Sequence, residues 1–154
     1  MNKIISIENS IKELINNNLS ENIIGIEMLP ASGSSRIYFR IITEKKTLIA
    51  TYSSNIEENE TFLYFSKHFK SKNLPVPEIL AVNDDKSCYI QSDFGDTSLF
   101  DYVKKCLNNN TYDDTTINLY KKAIADLVKF QINGHVNLDY SMAFPTPSFD
   151  KTSI

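Results

Sequence analysis

A chain of 154 residues is long enough for one modest core or two small lobes. It is 42% hydrophobic and 23% charged with four glycines, a globular composition rather than a disordered one. Its net charge of −3 speaks against a nucleic-acid partner, which calls for a clustered basic face, and no apolar run approaches the ~18 residues that span a bilayer. Cys88 and Cys106 stand alone with no C-x-x-C spacing and read as reduced thiols, not as a disulfide or zinc framework. The first residues lack a signal-peptide apolar stretch. The expectation is a soluble cytoplasmic protein with no membrane partner.

In chain order, Ser6 is placed to N-cap a first helix. Ile7, Ile11, Leu14 and Ile15 share one face of it, and it ends at the Asn tract 16–18. That tract and the one at 108–110 read as solvated helix ends. Residues 23–30 read as a strand, 36–43 as a second, and 47–52, rich in β-branched and apolar residues, as a third. Ser54-Asn55-Ile56-Glu57 matches a capping box and predicts a helix starting there. Phe62, Phe65 and Phe69 recur at spacings that predict its buried stripe, core packing rather than a ligand box. Glu58, one turn before Phe62, projects from the same face. Leu74-Pro75-Val76-Pro77 stops the helix and feeds an extended segment. Residues 78–83 and 87–92 read as two strands around Asp84-Asp85-Lys86. Asp93-Phe94-Gly95-Asp96-Thr97 reads as a linker. Residues 98–107 form a short helix and 113–133 a long one. The long helix carries Ile117, Tyr120, Ile124, Leu127, Val128 and Gln131 on one stripe, with Gly134 at its C′ position. Residues 143–150 are Pro-punctuated loop, and the chain runs to Ile154 without a closing element.

The stretch with the most chemistry is Ala31-Ser32-Gly33-Ser34-Ser35-Arg36-Ile37-Tyr38-Phe39-Arg40, which holds the only two arginines of the chain. Small residues let the backbone approach a ligand closely. Serine hydroxyls and free N–H groups hydrogen-bond phosphate oxygens, and guanidinium groups neutralise them. Ser32, Gly33, Ser34, Ser35, Arg36 and Arg40 therefore form a candidate nucleotide-phosphate clamp. Alternation along the second strand puts Arg36, Tyr38 and Arg40 on one face. An ordinary hairpin bend is the plain alternative. The element order predicts an α+β fold: a five-stranded antiparallel sheet with a packed helix over residues 1–92, a linker at 93–97, and the start of a helical lobe at 98–154. That is the layout of the nucleotide-binding N-lobe of a protein kinase-like fold.

Three stretches resemble a known family in their order and spacing: Ser-Ser-Arg-x-Tyr-Phe-Arg, Pro-Val-Pro-Glu ahead of two strands, and Ser-Asp-Phe-Gly-Asp-Thr-Ser-Leu. They are similar to the aminoglycoside phosphotransferase-like (choline kinase-type) small-molecule kinases. The nearest group is the bacterial branch of anomeric N-acetylmuramate and N-acetylglucosamine kinases. The resemblance runs from about residue 23 onward. It implies a phosphotransferase that uses ATP and Mg²⁺ on a small hydroxylated acceptor, a sugar or amino sugar. It implies that Ser32 to Ser35 cover the ATP phosphates and that Gln91, Ser92, Asp93 and Phe94 form the hinge whose backbone reads the adenine edge. Glu58 becomes the helix carboxylate that pairs with a third-strand lysine, and Ser148-Phe149-Asp150 opens the acceptor pocket.

Two departures stand out. The third strand, Thr47-Leu48-Ile49-Ala50-Thr51-Tyr52, has no lysine, and Lys45 and Lys46 lie in the turn before it. Arg36 or Arg40 is the expected source of the missing charge. The family's His-x-Asp-x-x-x-x-Asn loop and later Asp, which supply the base and the Mg²⁺ ligands, have no counterpart here. The expectation is the N-terminal part of a longer kinase with its Mg²⁺ ligands beyond residue 154. Such a chain binds nucleotide weakly, does not catalyse by itself, and exposes apolar surface on its incomplete helical lobe.

Several look-alikes are set aside. Asp93-Phe94-Gly95 spells the kinase metal-binding tripeptide but precedes the helical lobe, so Gly95 supplies a turn and Asp93 and Asp96 cap or solvate it. Gly134-His135-Val136-Asn137-Leu138-Asp139 has the wrong order for a catalytic loop and reads as a helix-capping loop. His68 reads as a surface or boundary residue. Glu58 keeps a second reading, in which it joins Glu57 and Glu60 in an acidic first turn that complements the helix dipole. Two other functions stay open: a non-catalytic kinase-like binding or regulatory module, and an unrelated α+β interaction domain.

Overall fold

The computed structural model describes residues 2–31, 33–109 and 113–148. Its elements are helix α1 (Asn2–Asn18), strands β1 (Ile23–Met28), β2 (Ile37–Thr43) and β3 (Thr47–Tyr52), helix α2 (Ile56–Ser71), strands β4 (Ile79–Val82) and β5 (Cys88–Ser92), and helices α3 (Leu99–Asn108) and α4 (Asp114–Ile132). A single 3-10 turn follows at Tyr140–Met142. The fold is α+β, with one five-stranded sheet in the order β1-β2-β3-β5-β4, every neighbouring pair antiparallel.

Strand alternation sorts the sheet into two faces. On one, Phe39, Ala50 and Ile90 are cross-strand partners. With Ile41, Leu48, Cys88 and Ala81 they form the core under α1, whose Ile7, Ile11, Leu14 and Ile15 are all buried. The predicted stripe is therefore the packed one. Ser6 is not its cap: α1 begins four residues earlier, because Ile4 extends the apolar face one turn back and packs on the same core. Burial pushes the Cys88 thiol up to about 12, so it stays protonated.

The other face carries Tyr38, Thr51 and Tyr89 in one row and Arg40, Ile49 and Gln91 in the next. Helix α2 lies over this side. Its cap is Asn55, whose side chain accepts from the Glu58 N–H at 3.1 Å, one residue later than the Ser54 capping box predicts. The Ser53 hydroxyl accepts from the Asn55 N–H at 3.1 Å and fixes that entry. The Phe stripe is half-buried, and the fully buried α2 positions are polar, Asn59 and Ser66. The reason is Asn59. Its amide nitrogen lies 2.8 Å from the Lys86 carbonyl oxygen and 3.4 Å from those of Ser53 and Ser87, pinning α2 to the β4–β5 turn. Phe62 then stacks on Tyr89, and Phe69 meets Phe130 of α4 edge-to-face.

Helices α3 and α4 start at Ser98 and Asp113, each of which accepts an N–H of its own first turn. The predicted α4 stripe exists but faces outward: Ile117, Tyr120, Ile124, Leu127 and Val128 are exposed, Ile124 at 61%. Periodicity identifies an apolar stripe without naming what covers it. What ties α4 to α2 is its C-terminal end. Gly134 is buried, and a Cβ there would lie 2.3 Å from the Phe130 carbonyl oxygen and 3.1 Å from the Phe69 ring. His68 Nε2 lies 2.8 Å from the Gly134 carbonyl oxygen. Gly134 thus serves close approach rather than a left-handed cap. Among the described residues, no helix is long and apolar enough to cross a membrane.

Candidate functional site

The row Arg40–Ile49–Gln91 forms one wall of an open cavity of about 430 Å³ at the C-terminal end of β5. Leu29 and Pro30 border it from the start of the β1–β2 bend, Pro77 from the segment before β4, and residues 92–96 from the far side of β5. This is where the expected hinge residues lie. Ser92 is fixed to Glu78 by a reciprocal pair: its N–H donates to the Glu78 carbonyl at 2.9 Å, and its hydroxyl accepts from the Glu78 N–H at 3.0 Å. Asp93 turns inward and Phe94 points out to solvent.

Asp93 is the anchor of the linker. Its carboxylate accepts from Arg40 Nε at 2.7 Å and from the Gly95 N–H at 2.8 Å. Gly95 has φ +84°, a conformation that favours glycine and lets the chain fold back over the carboxylate. The Asp93 side chain is only 5% exposed. That burial works to raise its pKa, but the Gly95 amide and the Arg40 guanidinium outweigh it and hold the carboxyl below the ordinary range. Arg40 also donates to Asp96 at 2.6 Å. Hydrogen bonds to Asp93 first and Asp96 second keep its guanidinium still more firmly protonated. Arg40, expected as a phosphate-neutralising cation, is instead met by two carboxylates. A guanidinium with two carboxylates carries net negative charge, so this end of the cavity is no anion site.

Arg36 is differently placed. It ends the bend, and its Nη2 lies 3.4 Å from the Glu58 carboxylate and donates to the Glu58 carbonyl at 3.1 Å. The guanidinium lies 5.3 Å over the Phe62 ring, and its Nε is buried with no partner. Arg36 and Glu58 also border a second cavity of about 400 Å³, lined by Phe62, Phe65, Phe69 and Phe130. Pro77 lines both cavities. The half-buried Phe residues are the wall of this cavity as well as packing.

The bend runs from Pro30, which borders the first cavity, to Arg36, which borders the second. Gly33 has φ +51° and is exposed, a Cβ there would meet nothing within 4 Å, and Ser34 and Ser35 are exposed too. The Ser34 hydroxyl accepts from the Arg36 N–H at 3.3 Å, which sets the arginine's approach to Glu58. Ser32, Phe149 and Asp150 lie outside the described residues; Ser148 is described and exposed.

The structure therefore brings Arg36 to Glu58 and Arg40 to Asp93, places Gln91 in the same row as Arg40 with Ile49 between them, and sets Gly33 to Ser35 at the bend that precedes Arg36. Ile49, Pro77 and Asp96 belong to the site and are not among the residues expected from sequence. The signals for them are the alternation that puts Ile49 level with Arg40, the Pro-Val-Pro punctuation, and a second carboxylate three residues after Asp93. Among the described residues, no cluster of three His, Cys, Asp or Glu side chains could hold a metal ion. The chain matches no protein-family model and no curated protein.

Proposed function

We propose that this chain is the nucleotide-binding part of an ATP-dependent phosphotransferase of the aminoglycoside phosphotransferase-like type, acting on a small hydroxylated molecule of the sugar or amino sugar class. The observation that carries the reading is the Arg36–Glu58 pair, set at the end of the Ser/Gly bend whose first residue, Pro30, borders the cavity of residues 92–96. The purine lies in that cavity against Ile49 and Pro77, with the backbone of residues 91–94 along its edge. The triphosphate runs outward under Gly33, Ser34 and Ser35, whose exposed groups donate to phosphate oxygens. Arg36 supplies the positive charge that the lysine-free third strand lacks, and Glu58 holds it in place. In this reading residues 1–92 are the nucleotide lobe, 93–97 the hinge and 98–154 the beginning of the second lobe. A bound triphosphate would bring Mg²⁺ with it, to neutralise phosphate charge beside Arg36.

The chain lacks a His-x-Asp-x-x-x-x-Asn run, so it binds nucleotide without itself transferring a phosphoryl group. The missing third-strand lysine also favours a second reading, a non-catalytic nucleotide-binding module. Phosphoryl transfer from ATP to N-acetylhexosamines by a protein that contains this chain separates the two. For the binding claim, calorimetric titration of ATP into the chain and into Arg36→Ala gives a weaker variant by about tenfold, the loss of one charge-assisted contact. Equal affinities, with both proteins folded by circular dichroism, would overturn it.

A further inference from the structure

Helix α4 carries apolar residues on two sides. Leu119 and Phe130 are half-buried, Phe130 against Phe69, and tie it to the rest of the fold. On the far side Ile117, Tyr120, Ile124, Leu127, Val128 and Ile132 are 44–63% exposed. Six large side chains about half exposed leave roughly 600 Å² of mostly apolar surface on one helix face, the upper end of what a monomer shows to water. Two such faces brought together come to about 1,200 Å², the area at which specific interfaces begin. The pattern of the face selects the occupant. Ile117, Tyr120, Ile124 and Leu127 follow spacings of 3, 4 and 3 residues, with no charge among them. That series reads the same in reverse, so the face complements itself when turned about a two-fold axis. The rest of the helix sets Asp113, Asp114 and Asp126 against Lys121, Lys122 and Lys129. Such a balance lacks the basic excess that an anionic bilayer selects.

We propose that this face of α4 binds the same face of a second copy, helix against antiparallel helix, and makes the chain a homodimer. The inference stands apart from the nucleotide reading, since it uses no residue of that site. With the two-fold axis level with Lys122, Ile117 packs on Leu127 of the partner subunit and Tyr120 on Ile124 of the partner subunit. Symmetry repeats both pairs, which gives four consecutive apolar layers. Gln131, next in the series, falls at the end of the contact, where its amide stays in water. The antiparallel arrangement also sets the negative end of each helix dipole beside the positive end of the other.

The test is sedimentation equilibrium of the chain at concentrations from about 1 to 100 μM, which brackets the affinity of an interface this small. The expected result is a reversible dimer of 17.6 kDa chains. Ile124→Glu puts a carboxylate in the middle of the contact and weakens dimerisation about thirtyfold or more. Its circular dichroism stays that of the wild type, because Ile124 is 61% exposed in the single chain. A second measurement fixes the register. Ile117→Cys mixed with Leu127→Cys gives a disulfide-linked heterodimer on mild oxidation, and neither variant links to itself; the native Cys88 and Cys106 are buried. A chain that stays monomeric at about 100 μM overturns the proposal and leaves the face to further helices of its own lobe. A monomer that sediments with phosphatidylserine vesicles overturns it too and gives the face to a membrane. A dimer that Ile124→Glu leaves intact overturns it by placing the contact elsewhere. Self-linked dimers from each single-cysteine variant overturn the antiparallel arrangement.

Discussion

Arg36 and Glu58 meet at 3.4 Å, the guanidinium arriving from the foot of β2 and the carboxylate from the first turn of α2. The pair joins the bend to the helix that lies over the sheet. Sequence leaves Glu58 two readings, an ion-pair partner or a dipole-complementing residue of the first turn, and its carboxylate is engaged with Arg36. Arg36→Lys is therefore expected to lose the contact to the Glu58 carbonyl and the ring contact with Phe62, because an ammonium lacks the flat fork that makes both. The stability cost is about 1 kcal/mol, read as a shift of the urea midpoint at unchanged slope. A variant as stable as the wild type would show that the pair is incidental.

The tie between Arg40 and Asp93 closes the linker on the sheet. Arg40→Ala leaves an almost fully buried carboxylate without its cation. The loss lies between the values for exposed and buried pairs, about 2 kcal/mol by urea unfolding. Asp96→Asn costs much less, because that carboxylate is 80% exposed.

The same pair sets a pH dependence. The folded-state pKa of Asp93 is lowered. Its contribution to stability is full above the unfolded pKa, near about pH 4, and is lost as pH falls through the lower folded value. Wild-type stability should therefore fall more steeply below about pH 4 than that of Asp93→Asn. Parallel acid limbs in the two unfolding series would remove Asp93 from the account.

Asn59 is the least obvious structural residue. Asn59→Ala withdraws a donor from the carbonyls of Ser53, Lys86 and Ser87 in a buried setting. The expected cost is about 2 kcal/mol. Amide exchange should speed up first at the β4–β5 turn and the start of α2, because those are the segments that Asn59 joins.

Gly134→Ala places a methyl where the Phe130 carbonyl, the Phe69 ring and Leu74 already crowd. Overpacking of this kind costs about 1–3 kcal/mol. The segment from Gly134 to Met142 should loosen from α2, with its contacts to His68, Tyr64 and Thr61 weakened. Trypsin cutting after Lys129 at an unchanged rate in the variant would contradict this.

The strands were legible because each carries a short run of β-branched and apolar residues. Helix α1 was legible because four of its residues share one face and find a matching sheet. Ser6 misled because it resembles a cap while Ile4 continues the stripe behind it. Ser54 misled because Asn55 caps as well and Ser53 holds it. The α4 stripe was real, but nothing local says what it packs on. Within the site, alternation predicted that Arg36, Tyr38 and Arg40 share a face. It did not foresee that Asp93, 53 positions away, would occupy Arg40. Long-range pairing of charges is a property of the fold and leaves no short-range mark.

Residue-resolved amide NMR during an ATP titration tests the central claim most directly. The account predicts shifts concentrated at residues 29–36 and 91–96, with Ile49 among them and α1 unmoved. Shifts scattered over the surface, or none at millimolar ATP, would contradict it.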